Sequence, residues 1–140
     1  LAAARRLELH RKVGLALEDA VREDLEPYLA ELAHHFSQAA PLGDAERAVE
    51  YSVRAGDRAA AVLAYEDSAR SYVRALQLLP PGDVTWERRG EILLRLGDAR
   101  SRTADEEGAR QSFEEAATIA RRAGAGELLA RAALGYSTIV

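Results

Sequence analysis

The sequence partly overlays itself when it is shifted by 41 residues. Both copies hold a Gly-Asp pair and a small–aromatic–small pattern: Gly56-Asp57 with Ser68, Tyr72 and Ala75, then Gly97-Asp98 with Ala109, Phe113 and Ala116. Small residues at these spacings let two helices approach closely, and the ring between them fills the remaining gap. Because one such unit cannot bury its apolar face alone, the pattern predicts equal helical units that stack in series.

Two further stretches resemble parts of this unit. The segment that begins at Gly43-Asp44 looks like the short turn between two helices, and Leu134-Gly135 repeats an earlier Leu-Gly pair. We therefore predict three to four units in this chain.

The residues between these positions favour helix. The chain holds 29 alanines and 19 leucines but few β-branched residues, which argues against a β-sheet. Apolar residues recur at helical spacing between the prolines and glycines that end each segment. We predict helices over residues 2–22, 28–40, 45–55, 58–63, 65–79, 85–102, 106–123 and from 127 to the C-terminus.

One helix boundary has two interpretations. The pair Gly56-Asp57 is typical of a helix end followed by a new helix start, and we prefer a break there. The alternative is one continuous helix over residues 45–63, since a single internal glycine costs only about 1 kcal/mol.

Charge and composition exclude several functional classes. The net charge of −4 argues against non-specific nucleic-acid binding. No apolar run approaches the roughly 18 residues that a membrane span requires. The absence of cysteine excludes disulfides and thiolate metal sites. The chain has neither a signal peptide nor a methionine and starts at Leu1, so we expect a cytoplasmic piece of a longer protein.

The repeat positions resemble those of a known family. The segment Ala64–Leu76, which precedes Pro80, resembles the second helix of a tetratricopeptide (TPR) repeat, and Asp105–Ala117 is similar. The pair Leu96-Gly97 stands where the first helix of that motif has its Leu-Gly pair.

This resemblance implies an all-α fold, a TPR-like right-handed α-solenoid of antiparallel helix hairpins. Residues 1–26 are then a leading helix packed on the array. Residues 27–140 are three to four hairpins, the last of them truncated.

A second resemblance concerns the surroundings of the chain. It is carried by the segments Leu9–Glu18, Glu31–Phe36 and Ala48–Asp57. They resemble the helical region downstream of the nucleotide-binding module in bacterial signal-transduction (STAND) ATPases of the LuxR-type, maltose-regulator-like and cyclase-linked groups. The resemblance implies an ATPase elsewhere in the parent protein, because this chain lacks the Gly-rich phosphate loop with Lys-Ser/Thr.

The residues give little support for catalysis or for a cofactor. His34 and His35 are adjacent on one helix, so they do not form a helical i, i+4 metal-binding pair, and His10 lies on a different helix. The glutamate pairs of segment 106–123 lie among solvated charges, and no G-x-S-x-G pattern is present. We expect a non-enzymatic chain without metal or cofactor.

The proposed stack of hairpins predicts a binding groove. The first helices of stacked hairpins line a concave surface, and we assign this role to 28–40, 58–63, 85–102 and 127–140. The candidate groove residues are His34, Ser37, Glu91, Leu94, Asp98, Ser101 and Arg102.

Such a groove fits a protein or peptide partner, or other domains of the parent chain. The alternative is a small-molecule effector bound in the groove. We expect no direct contact with nucleic acid or membrane. The last segment stays apolar to its end, at Leu134, Tyr136, Ile139 and Val140, which predicts a dimer through residues 127–140.

Overall fold

The computed structural model describes residues 2–139, and every regular element in that range is helical. The seven α-helices of the described range are α1 (Ala2–Ala20), α2 (Leu29–Gln38), α3 (Ala45–Ala61), α4 (Tyr65–Leu78), α5 (Trp86–Ser101), α6 (Glu106–Ala123) and α7 (Gly126–Ser137). Short 3-10 helices precede α2, α3 and α5, at Glu26–Tyr28, Ala40–Leu42 and Asp83–Thr85. The predicted all-α class is confirmed. None of the helices described is long and apolar enough to cross a membrane.

The helices pack in the order of the chain. Each helix contacts the next one along the sequence, most extensively α3 with α4 and α5 with α6, and α5 also contacts α7. The core accordingly forms three successive clusters, the first between α2 and α3, the second among α3, α4 and α5, and the third among α5, α6 and α7. Neighbouring clusters share helices, so α3 and α5 connect the hydrophobic core along the chain.

A glycine meets an aromatic ring in three successive helix pairs. A Cβ atom added to Gly56 of α3 would lie 2.5 Å from a ring carbon of Tyr72 on α4, and one added to Gly97 of α5 would lie 2.6 Å from the ring of Phe113 on α6. In the pair formed by α1 and α2, Gly14 faces the ring of Phe36, with a corresponding distance of 3.1 Å. An added Cβ at Gly56 or Gly97 would overlap the facing ring, whereas at Gly14 the ring would have to move by a few tenths of an ångström. We call these three contacts the glycine–ring contacts.

The small residues of the repeat lie where the sequence places them. Ala75 and Ala116 are fully buried, and Tyr72 and Phe113 are 3% and 2% exposed. Gly135 of α7 also faces Phe113, which lies on the preceding helix, whereas Gly56 and Gly97 face rings on the helix that follows.

The preferred break at Gly56-Asp57 is wrong. Helix α3 continues over 17 residues from Ala45 to Ala61, as in the alternative interpretation, and Gly56 lies in its interior. The reason is steric: this glycine provides room for the Tyr72 ring, whereas a turn would require its conformational freedom.

The continuous helix changes the order of the units. Helix α3 holds the glycine of its pair and α4 holds the ring. Helix α2, which we predicted over 28–40 as a first helix, therefore corresponds to α4 and α6, with Phe36 in the ring position. The first unit finds its glycine in Gly14 of α1. Gly43, which we took as the start of a third copy, instead ends the 3-10 helix before α3 with a φ of 107°.

Two of the turns share one geometry with different residues. After α6, Gly124 has a φ of 68°, and Ala125 N–H donates to the Ala120 carbonyl oxygen at 2.8 Å. After α3, Leu63 has a φ of 65°, and Ala64 N–H donates to the Ala59 carbonyl oxygen at 2.8 Å. This pattern is the Schellman motif, in which glycine is the favoured residue.

We predict that Gly56→Ala lowers the free energy of unfolding by about 1–3 kcal/mol, because the new methyl group overlaps the buried Tyr72 ring. The measurement is equilibrium urea unfolding followed by circular dichroism. The matched control is Gly126→Ala in α7, where an added Cβ meets no atom within 4 Å. Equal stability of the parent and Gly56→Ala proteins would contradict the close approach.

We predict that Leu63→Gly raises the free energy of unfolding by about 0.5–1 kcal/mol, since a left-handed backbone costs leucine more than glycine. Little packing is lost, because Leu63 is 71% exposed. The control is Val62→Gly, at an equally exposed neighbour whose φ is −101°. That change should lower the stability in the same unfolding experiment, and a stability loss in both variants would refute the turn geometry.

Candidate functional site

The predicted groove residues fall on two separate helices. His34 is exposed and Ser37 half-buried on α2, whose main neighbours are α1 and α3. The other five belong to α5 and to the turn directly after it, and α5 packs mainly against α4, α6 and α7. The two groups are therefore not brought together. The reason is that α2 holds the ring position of its unit, whereas α5 holds a glycine position.

One of the predicted groove residues is buried. Leu94 is 5% exposed and belongs to the core cluster that contains Phe113 and Leu128. Its assignment to an open groove is wrong, because this face of α5 packs against α6 and α7. Glu91 is half-buried, and Asp98, Ser101 and Arg102 are exposed.

Charged side chains connect α5 to α7. Arg131 of α7 donates two hydrogen bonds to Glu91, one of them from Nη2 to Oε2 at 3.1 Å. These bonds hold the pKa of Glu91 below its ordinary value. Partial burial raises the pKa of Asp98, while the guanidinium groups of Arg102 and Arg131 act in the opposite direction. Three of the predicted residues thus form one charged cluster with Arg131.

A similar connection joins α3, α4 and α5. The Asp57 carboxylate accepts a hydrogen bond of 2.6 Å from the Tyr72 hydroxyl and two, at 3.1 and 2.9 Å, from Arg95 Nη1. Burial and this acceptor raise the pKa of Tyr72. The buried ring of the glycine–ring contact is thus held at its polar end by the residue that follows the glycine.

The same kind of contact recurs between all the glycine-bearing helices. We call this series the ion-pair ladder: Arg11–Asp44 and Glu18–Arg47 from α1 to α3, Glu46–Arg88 and Asp57–Arg95 from α3 to α5, and Glu91–Arg131 from α5 to α7. Most of these side chains are more than one-third exposed, so each pair contributes at most about 1 kcal/mol to stability. Asp44, the residue directly before α3, pairs with Arg11 and does not bond the helix amides with its side chain.

A depression in the surface lies among α2, α3 and α4. It is an open cavity of about 470 Å³ with Leu29 and Val62 on its apolar part and Arg58, Arg70 and Arg74 on its polar part. Arg58 pairs with Glu26 at 3.6 Å. This cavity was not predicted from the sequence. His34, one of the predicted groove residues, is part of its lining.

The three histidines form a cluster that was not predicted from the sequence. His10 of α1 lies beside His34 and His35 of α2, with ring centroids 5.1–5.4 Å apart. His10 Nδ1 and His35 Nδ1 are 3.0 Å apart, a hydrogen bond between two imidazoles. Burial lowers the pKa of His34 and of His35, and the neighbouring histidines lower it further. We expected His10 to lie far from His34 and His35 because it is on another helix. The packing of α1 against α2 instead places it in contact with both.

The end of the chain shows part of the predicted apolar surface. Leu134 is 67% exposed and Tyr136 39% exposed on α7, whereas Leu128 is buried. Val140 lies outside the described residues. A dimer through this segment stays a prediction.

Comparison with protein-family models, with curated proteins and with solved structures finds no match to this chain. The assignment of function therefore depends on the residues and their arrangement alone.

We predict that Tyr51 makes the protein less stable as the pH rises from about 10 to about 12. Burial, with the 2.5 Å hydrogen bond to Glu18, raises the pKa of Tyr51 from 10.0 to about 12. In this window the unfolded chain binds fewer protons than the folded one, so stability that is fully present below pH 10 is lost as the pH rises.

The measurement is the free energy of unfolding against pH for the parent protein and for Tyr51→Phe. The variant should show a smaller decrease over this window, and the exposed Tyr136→Phe should keep the parent's decrease. Identical curves for the parent and Tyr51→Phe would contradict the role of Tyr51.

Proposed function

We propose that the helices form a TPR-like right-handed α-solenoid of antiparallel hairpins. The hairpins are α1 with α2, α3 with α4 and α5 with α6, and α7 is the first helix of a further one. The glycine–ring contacts support this proposal, because each hairpin has a glycine on its first helix and a ring on its second. The proposal makes α1 part of a hairpin, where the sequence analysis has residues 1–26 as a separate leading helix.

The function that these features support best is that of a non-catalytic interaction and regulatory module. We propose that it belongs to a larger cytoplasmic signalling or transcription-regulating ATPase of a bacterium. There it binds a protein or peptide partner, or another domain of the parent chain. The context comes from the resemblance of three segments to such regulators.

The ion-pair ladder is the observation that carries this proposal. It places alternating charges on the glycine-bearing helices, which in a solenoid line the concave side. Exposed pairs of this kind are weak, so their members can exchange a partner on the same chain for a charged group of a bound peptide. Complementary charges across such a surface select the partner and its orientation.

A small-molecule effector is the second candidate. The cavity among α2, α3 and α4 favours it, because it combines an apolar floor with three arginines. Arg58 and Arg70 pair there with Glu26 and Asp67, and Arg74 can receive the anionic group of an organic compound. The cavity is open, however, and an enclosed site is the more usual form of a small-molecule site. We therefore rank the interaction module first.

The test is selection of a displayed random-peptide library on the chain, followed by titration of the selected peptides. We predict peptides whose Kd weakens about tenfold in Asp98→Asn or Arg102→Ala, which change exposed charges at the proposed concave side. The matched controls, Glu114→Gln and Arg121→Ala, change the same charges on the exposed face of α6 and should leave the Kd unchanged.

Two other results would change the conclusion. Peptides equally sensitive to the α6 variants would place the binding surface elsewhere. Absence of peptide binding, together with a rise in Tm caused by small organic anions and removed by Arg74→Ala, would favour the effector site. The proposed origin in a regulatory ATPase is tested by the sequence of the parent protein, which should hold a phosphate-binding loop upstream of this segment.

A further inference from the structure

All three histidines of this chain meet at one place. The sequence of 140 residues contains no other histidine and no cysteine, so every strong nitrogen or sulfur ligand for a transition metal lies in this cluster. His10 comes from α1, and His34 and His35 come from α2, 24 and 25 residues further along the chain. Two adjacent histidines and one remote histidine are joined only by the packing of α1 on α2.

The distances within the cluster are close to those of a three-histidine metal site. One ring nitrogen from each histidine lies within 4.8 Å of the others. Nitrogens bound to a tetrahedral Zn²⁺ at about 2.0–2.1 Å are about 3.3 Å apart. The gap to be closed is small, and His34 is exposed and the other two are half-buried, so rotation about their side-chain bonds can close it.

The neighbouring charges act in both directions. Glu31 lies one helical turn before His35 and favours a positive charge there, whereas Arg74 of α4 opposes one near His34. The glutamate side is open to solvent. Because His34 is exposed as well, water can reach a coordination position that the three rings leave open.

We propose that His10, His34 and His35 bind a divalent transition-metal ion of the class that prefers imidazole, with Zn²⁺ as its first member. Three neutral imidazoles and one position left to water or to the Glu31 carboxylate satisfy the four-coordinate geometry of that ion. The bound ion cross-links α1 to α2.

This cross-link has a structural consequence for α1. Gly14 is the buried residue of α1, and most of the helix surface is exposed, so α1 is held to the rest of the fold by few buried side chains. A ligand that binds only the folded arrangement stabilises it according to its concentration and Kd. The site would therefore make the docking of α1 dependent on the metal.

The experiment uses the 140-residue chain, purified in chelator and then dialysed free of it. Calorimetric titration with ZnCl₂ gives the stoichiometry and the Kd, and thermal unfolding gives the Tm. We predict one ion per chain and a rise in Tm of roughly 5–10 °C at a zinc concentration about 100 times the Kd. MgCl₂, whose ion prefers oxygen ligands, should give no rise.

The variants are His10→Gln, His34→Gln and His35→Gln, with Glu8→Gln as the matched control on the exposed surface of α1. Each histidine variant should weaken the Kd for zinc about tenfold or more, and Glu8→Gln should leave it unchanged. Circular dichroism of each variant without metal shows whether the helices are retained. X-ray absorption of the zinc-loaded protein should show three nitrogen ligands at about 2.0–2.1 Å.

Three results would overturn the proposal. These are zinc binding that survives His10→Gln in a folded protein, an equal effect of magnesium and zinc, and an absorption spectrum with oxygen ligands alone. None of them bears on the peptide test, whose variants at Asp98 and Arg102 lie on α5 and in the turn after it.

Discussion

The contact between a glycine of one helix and an aromatic ring of the next sets the spacing in this fold. Gly56 and Tyr72 show it most clearly, because a single added carbon atom would overlap the ring. The ring occupies the space that the missing side chain leaves, so the interface is filled although one residue contributes no side chain. Neighbouring core clusters share a helix. A change in the distance between one pair of helices would therefore displace the helices that follow along the chain.

The same contact connects the interior to the surface. The Tyr72 hydroxyl donates to Asp57, the residue after the glycine, and Asp57 accepts from Arg95 on the next glycine-bearing helix. A buried ring is thereby tied to an exposed ion pair, and the position of the charges follows from the packing below them. The proposed interaction surface depends on this arrangement. The individual ion pairs contribute little to stability and are free to serve recognition.

The sequence predicted the parts of this structure that depend on local pattern. Tyr72, Phe113, Ala75 and Ala116 are buried as expected, since side-chain size and helical spacing determine their environment. Gly56 was misread because one glycine suits both a turn and a close approach, and only the ring on a different helix distinguishes them.

The remaining differences come from contacts between distant residues. The histidine cluster was missed because it depends on the docking of α1 on α2, which no local pattern encodes. Leu94 was assigned to a groove because its burial depends on the packing of α5 against α6 and α7, which the spacing along α5 alone does not reveal.

The most direct measurement of the central claim is a proton NMR spectrum of the native chain. Our account predicts nuclear Overhauser contacts from the α-protons of Gly56 and Gly97 to the rings of Tyr72 and Phe113, respectively, with ring-current shifts of those α-protons. Unshifted glycine signals, with contacts from these rings to other residues only, would contradict it.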